Sequence, residues 1–196
     1  MTLGYFEKIG LLFSQPINFF KEVSKEGISN AFLLYLIVAL ITQVVSALIS
    51  FSILGSMGML GLGMGMNPFY TGVMGVMLPF MLIFGLILGV AFTFVWAGIV
   101  HLFAMIFQAK GSYTETYKAT TYSAVPALII GIIPYIGILG IIYGIILSIF
   151  GIKELHKMST GKAVATVLIP VLILVFLFIL LFITVLAAIF GGLGML

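Results

Sequence analysis

The charged residues of this chain occupy three short segments, and long uncharged apolar runs separate these segments. The lysines form three groups, namely Lys8, Lys21 and Lys25, then Lys110 and Lys118, then Lys153, Lys157 and Lys162. The other candidate loops and the C-terminal tail carry no charge. Because positively charged loops of membrane proteins stay on the cytoplasmic side, this distribution predicts that all eight lysines lie on one side of a membrane.

Composition supports a membrane protein and excludes several kinds of site. Of the 196 residues, 63% are apolar and 7% are charged, whereas soluble domains have roughly 25% charged residues. The absence of cysteine excludes disulfides, thiolate metal sites and cysteine nucleophiles. The chain also lacks arginine and therefore bidentate phosphate clamps. The net charge of +3 comes from lysines that flank apolar runs, so we expect no nucleic-acid partner.

The apolar runs predict an all-α, polytopic membrane protein with five spans, its N-terminus inside and its C-terminus outside. Since roughly 20 residues cross the hydrocarbon core, the expected spans are residues 31–54, 73–107, 122–133, 136–152 and 163–190. Together they make a transmembrane domain at residues 31–190, with a short outer tail at 191–196. The first run is too long for the h-region of a cleaved signal peptide, so we expect it to remain as a span.

The segments between the spans have different characters. Residues 1–30 mix aromatics with lysines, which predicts one or two short amphipathic helices in the membrane interface, broken near Pro16. Residues 55–72 are rich in glycine and methionine and are expected to form an outer loop. That loop carries Met57, Met59, Met64 and Met66, an apolar set for which Cu(I) binding is the alternative. Residues 108–121 are expected to form a polar inner loop.

The run from residue 73 to 107 would be roughly 50 Å long as a helix, so we expect a single long, tilted or protruding helix kinked near Pro79. Residues 122–152 instead predict a broken helical hairpin. The residues expected to build its turn are Pro126, Gly131, Pro134 and Gly137. This hairpin either crosses the bilayer or enters and returns, and both versions bring the chain back to the lysine side.

Two glycine pairs at four-residue spacing predict surfaces where helices approach closely. These residues are Gly85 with Gly89, and Gly140 with Gly144. Small residues at this spacing let helix backbones meet in lipid. We expect them to join helices within one chain, and a homodimer is the alternative.

A small set of polar residues at the inner ends of the spans forms the candidate site. It consists of His101, Lys118, Tyr122, Glu154 and His156. Two imidazoles and a carboxylate have the chemistry of a zinc or manganese site, but Glu154 and His156 are two residues apart and point in different directions on a helix. We therefore expect a structural or partner-binding polar cluster, with no metal, no cofactor and no catalytic residues.

The chain contains several short motifs, namely His101 at the end of a span, Gly111-Ser112-Tyr113, Tyr122-Ser123 with Pro126, Gly151-x-x-Glu154-x-His156 before Lys162-Ala163, and Pro16-x-x-Phe19-Phe20. With these motifs the chain resembles the Yip-domain family, the Ypt/Rab-interacting membrane proteins, in their short prokaryotic form. The resemblance implies a five-span bundle with a cytosolic N-terminus. The chain lacks the long acidic extension and the Asp-Leu-aromatic-Gly-Pro segment of the eukaryotic branch, so we do not expect it to bind Rab GTPases.

These observations favour a non-enzymatic membrane adaptor or membrane-organising protein that binds a protein partner or lipids through its cytosolic face. The alternative is a small transporter or channel that uses the broken hairpin around Gly131–Gly137, although no carboxylate or lysine lies within a predicted span. An intramembrane enzyme is the poorest hypothesis, because nucleophile, base and metal sets are scarce. The prokaryotic-like form predicts a multi-pass protein of a prokaryotic cell membrane.

Overall fold

The computed structural model of the chain describes residues 3–59 and 68–193, and within these ranges all regular structure is helical. The helices are α1 Tyr5–Ser14, α2 Pro16–Glu22, a 3-10 turn at Val23–Lys25, α3 Ile28–Met59, α4 Pro68–Ile106, α5 Tyr113–Gly131, α6 Gly137–His156 and α7 Thr160–Leu193. Within the described ranges, four segments are long and apolar enough to cross a membrane: Ile28–Ile53, Gly75–Ile106, Gly137–His156 and Thr160–Phe190. The predicted all-α membrane class is confirmed.

Helix α5 is the centre of the bundle. It packs against α6, α3, α4 and α1, while α6 also contacts α2 and α7. The first half of α5 is polar and buried, including Thr116, Lys118 and Ser123. Around it lies an apolar core whose largest members are Leu12, Phe19, Phe20, Leu34, Tyr117, Tyr122, Leu147 and Ile152. The well-packed part of the molecule is therefore at the lysine-bearing end, which we call the basic end.

The opposite ends of the long helices carry apolar side chains with few protein neighbours. Every residue of α7 from Leu172 to Phe190 is exposed. On α4, Val76, Phe80 and Phe84 are exposed as well. Such surfaces suit the hydrocarbon of a bilayer, where an apolar side chain needs no protein cover.

The structure starts α5 at Tyr113 and not at Tyr122, so the expected loop over residues 108–121 is mostly helix. Ser112 and Glu115 form a capping box, in which the Ser112 backbone N–H donates to the Glu115 carboxylate at 2.8 Å. The polar composition suggested a loop, whereas Thr116 and Lys118 of this segment are buried in the bundle.

Both ends of the predicted outer loop over residues 55–72 are helical in the structure. Helix α3 continues through Gly55 to Met59, and α4 begins at Pro68 and runs as one helix with Pro79 inside it. Glycine disfavours helices in water, but lipid-exposed backbone must bond within its own segment. Met64 and Met66 lie outside the described residues.

The hairpin turn joins Gly131, the last residue of α5, to Gly137, the first residue of α6. Pro134 lies in the turn, but Pro126 does not, because it is buried inside α5. Proline lacks an N–H donor, yet membrane helices tolerate this because neighbouring groups satisfy the freed carbonyl. Near its tip, Gly131 lines a cavity with Ser46 and Gly85, so α3 and α4 extend roughly 20 Å beyond that level.

Candidate functional site

Helix α1 is fastened to the bundle by a buried ion pair. Lys8 Nζ lies 2.7 Å from Glu26 Oε2 and 3.3 Å from the Tyr122 hydroxyl. The Tyr122 hydroxyl donates to Glu26 Oε2 at 2.6 Å, so the carboxylate has two partners. The three groups come from α1, the α2–α3 linker and α5. Because a charge far from water needs a partner, this triad fixes the position of α1 on α5.

Lys118 fastens the same linker from the other side. Its amine donates to the backbone carbonyls of Ser24 at 2.7 Å and Glu26 at 2.8 Å, and it is almost fully buried. Burial lowers the pKa of the Lys118 amine, while the carboxylates of Glu115 and Glu26 oppose that change. Ser24 lies in the 3-10 turn and Glu26 directly follows it, where carbonyl acceptors without a backbone partner are available and a cation is favourable.

A second polar cluster joins α4, α5 and α6. His101 Nδ1 lies 2.8 Å from Thr116 Oγ1, and Thr116 Oγ1 lies 2.9 Å from His156 Nε2. His156 and Thr116 are fully buried. A Cβ atom at Gly111 would come within 2.6 Å of His156 Nδ1, so only glycine lets the loop pass this close to the ring.

The five candidate residues therefore lie in three separate parts of the structure. Lys118 and Tyr122 hold the N-terminal segment, and His101 and His156 hold the helix ends. Glu154 is separate and lies 3.9 Å from Lys153. Within residues 3–59 and 68–193, no group of three histidine and carboxylate side chains is placed to hold a metal ion.

The sequence patterns did not indicate the residues that complete these clusters. Lys8 and Glu26 looked like interfacial charges, and Thr116 looked like part of a polar loop. One available signal was that Lys8 is four residues from the apolar Leu12, which puts both on the face of α1 that is buried. For Thr116, the capping box at Ser112 and Glu115 was the available signal for a helix.

The glycine pairs lie where helices of the same chain meet. A Cβ at Gly140 would be 2.9 Å from the carbonyl oxygen of Ala127, and one at Gly144 would be 3.1 Å from that of Ser123. These contacts bring α6 directly onto α5. The other pair faces α3, where a Cβ at Gly85 would be 2.6 Å from Gln43 Nε2 and one at Gly89 would be 3.4 Å from the Tyr35 hydroxyl.

The surface of the basic end is positively charged. Its exposed lysines are Lys21, Lys25, Lys110, Lys157 and Lys162. Lys162 Nζ donates to Gln108 Oε1 at 3.2 Å, which connects the first turn of α7 with the α4–α5 loop. On α1, Phe6 is 92% exposed beside the exposed Tyr5, as expected for a helix that dips into a membrane surface. This end can therefore present cations and aromatic rings together.

Comparison with known proteins gives an archaeal relative and a family profile that match this chain. A protein of Methanocaldococcus jannaschii, described as uncharacterized, is 31% identical over 118 residues, which cover 59% of this chain and 77% of the relative. No solved structure matches the chain. The Yip1 domain profile matches residues 9–183, and this family is not known for enzymatic activity. The predicted resemblance is thereby confirmed, and the chain is a multi-pass membrane protein that belongs to the Yip1 domain family.

Proposed function

We propose that this chain is a non-enzymatic adaptor or membrane-organising protein that binds an acidic protein surface or anionic lipid through its basic end. The observation that carries this proposal is that the segments at the basic end contain all eight lysines, whereas the far ends of α3, α4 and α7 contain none. At the basic end, Lys8, Lys118 and His156 are used for internal bonds. Several other lysines remain exposed on the same end, so the cationic surface is attached to a rigid support.

The topology that accompanies this proposal places the basic end in the cytosol. Helices α3, α4 and α7 each cross, and the α5–α6 hairpin returns to the side from which it started. The lysines at the ends of α2, α4 and α6 support this orientation, since positive charge is retained inside. A five-span bundle and one with a re-entrant hairpin share this topology, with the N-terminus inside and the C-terminus outside. A prokaryotic cell membrane is the proposed location, supported by the archaeal relative.

The proposal predicts that a partner depends on exposed charge. Tagged protein would be purified in mild detergent from its native membrane, and co-eluting molecules would be identified by mass spectrometry. We expect a stoichiometric acidic partner with the wild type. Changing Lys21, Lys25 and Lys110 together to glutamate should weaken binding by more than about 100-fold, because juxtaposed like charges cost several kcal/mol.

The matched control replaces the same three lysines with arginine, which preserves the charge and should retain the partner. Lys118 and His156 are unsuitable for this test because they are buried and their loss would disturb the fold. A clean homo-oligomer, unchanged by charge reversal and carrying only a small molecule that it moves across proteoliposomes, would contradict the adaptor proposal and favour transport.

A further inference from the structure

Two neighbouring cavities open between the helices at the depth of the membrane spans. The inner cavity, about 310 Å³, includes Trp96 and Thr121 in its lining. The outer cavity, about 370 Å³, includes Gln43 and Gly85. Tyr35 borders both, together with Ala127 and Leu128. Each volume falls in the range of roughly 300–1,000 Å³ that is typical of small-molecule sites.

The inner cavity contains a polar group that the protein does not satisfy. The Thr121 hydroxyl is buried, with the residue only 1% exposed, and has no hydrogen-bond partner. The other two threonines of this lining behave differently. Thr93 Oγ1 donates to the Val90 carbonyl at 2.7 Å, and Thr120 Oγ1 donates to the Thr116 carbonyl at 3.0 Å. Because a buried hydroxyl without a partner is costly, Thr121 is a candidate contact for a ligand.

The chemistry of the lining limits what the ligand can be. None of the residues lining either cavity is charged, so an ionised headgroup would find no counter-charge. Apolar surface dominates, and Trp96 is held parallel to Phe92 with ring centroids 6.3 Å apart. The two cavities also follow one another along α3 and α4, within segments long enough to cross a membrane.

We propose that these cavities form one site for an uncharged, elongated amphiphile, such as a long-chain lipid alcohol, taken up from the bilayer. Its hydroxyl pairs with Thr121 in the inner cavity, where the threonine can both donate and accept. Its chain passes Tyr35 into the outer cavity, whose lining includes Gln43 and Gly85. This site uses none of the exposed lysines of the basic end and does not depend on the proposed partner.

Trp96 is the only tryptophan of the chain and lines the inner cavity. Because Trp96 is also partly exposed, saturable quenching distinguishes binding in the cavity from contact with probe in the bilayer. Purified protein in nanodiscs would be titrated with a long-chain alcohol brominated at mid-chain, and quenching of tryptophan fluorescence would be recorded. We expect saturable quenching by the alcohol. The corresponding brominated fatty acid, which carries a charge, should need at least about tenfold more probe for the same quenching.

Two substitutions test the two parts of the site. Thr121→Val removes the hydroxyl. The alcohol concentration at half-maximal quenching should rise by roughly threefold to tenfold, which is the effect of losing one hydrogen bond. Ala124→Leu fills the inner cavity and should abolish saturation. The matched control is Ala91→Leu, which adds the same atoms at an exposed position of α4 and should leave the titration unchanged.

Circular dichroism of each variant checks that the fold is intact. If Ala124→Leu does not fold, a second measurement tests the proposal. Lipid bound to the wild type and to Thr121→Val would be extracted and identified by mass spectrometry, and we expect less neutral amphiphile in Thr121→Val. The proposal is overturned if quenching rises linearly with probe and is equal in all folded variants, since that result means simple partitioning into the bilayer. Equal neutral-lipid content in wild type and Thr121→Val would overturn it as well.

Discussion

Replacing Glu26 with glutamine is expected to lower the free energy of unfolding by about 3 kcal/mol. The substitution keeps the shape of the side chain but leaves the Lys8 ammonium buried without its counter-charge, 2.7 Å from a neutral amide. The Tyr122 hydroxyl also loses its carboxylate acceptor. For a chain of this size we expect Tm to fall by roughly 6–12 °C. Thermal unfolding followed by circular dichroism in detergent measures the change.

Glu22→Gln is the matched control, because Glu22 is exposed on α2 and its replacement should change stability by less than about 0.5 kcal/mol. The double variant Lys8→Met with Glu26→Leu should recover most of the lost stability, since removing both charges leaves no unpaired ion. If Glu26→Gln unfolds at the same temperature as Glu22→Gln, the buried ion pair does not hold α1 on the bundle.

Enlarging Gly140 is expected to separate α5 from α6. A Cβ there would lie 2.9 Å from the Ala127 carbonyl oxygen and 3.0 Å from the Ile130 Cβ. The first of these neighbours is backbone and cannot rotate away, so the helices themselves must move. We expect Gly140→Ala to cost about 2 kcal/mol and Gly140→Leu to cost more. Size-exclusion chromatography after heating measures this loss of stability, as a smaller fraction of monodisperse protein in the variants than in the wild type.

Gly98→Ala provides the comparison, because Gly98 also lies inside a long helix but a Cβ there meets no atom within 4 Å. Alanine favours helix more than glycine by up to about 1 kcal/mol, so this variant should be as stable as the wild type or slightly more stable. Equal tolerance of alanine at positions 98 and 140 would contradict the close α5–α6 contact.

Much of the fold class could be predicted from the sequence because membrane helices depend on the length and hydropathy of local segments. The grouping of the lysines predicted the orientation in the membrane for a similar reason, because the positive-inside rule can be applied without knowing how the helices pack. The start of α5 was missed because polarity was taken as a sign of solvent. Thr116 and Lys118 instead contact residues that are distant in sequence.

The candidate site was only partly predictable. His101 and His156 stood out as rare ionisable residues near helix ends, and both contact Thr116. The pairing of Lys8 with Tyr122 joins residues 114 positions apart, so no local pattern indicates it. Pro126 was assigned to a turn from its residue type, although a buried helix in a membrane protein can accommodate proline.

The central claim is that the segments carrying the exposed lysines share one face of the membrane, and single-cysteine labelling tests it most directly. The chain has no cysteine, so each introduced thiol reacts alone. Ser24→Cys, Lys110→Cys and Ser159→Cys sample the basic end, and Ser56→Cys samples the far end of α3. With a membrane-impermeant maleimide on intact cells, we predict that only Ser56→Cys is labelled and that the other three react after permeabilisation. Labelling of any of the three in intact cells would contradict a single cytosolic face.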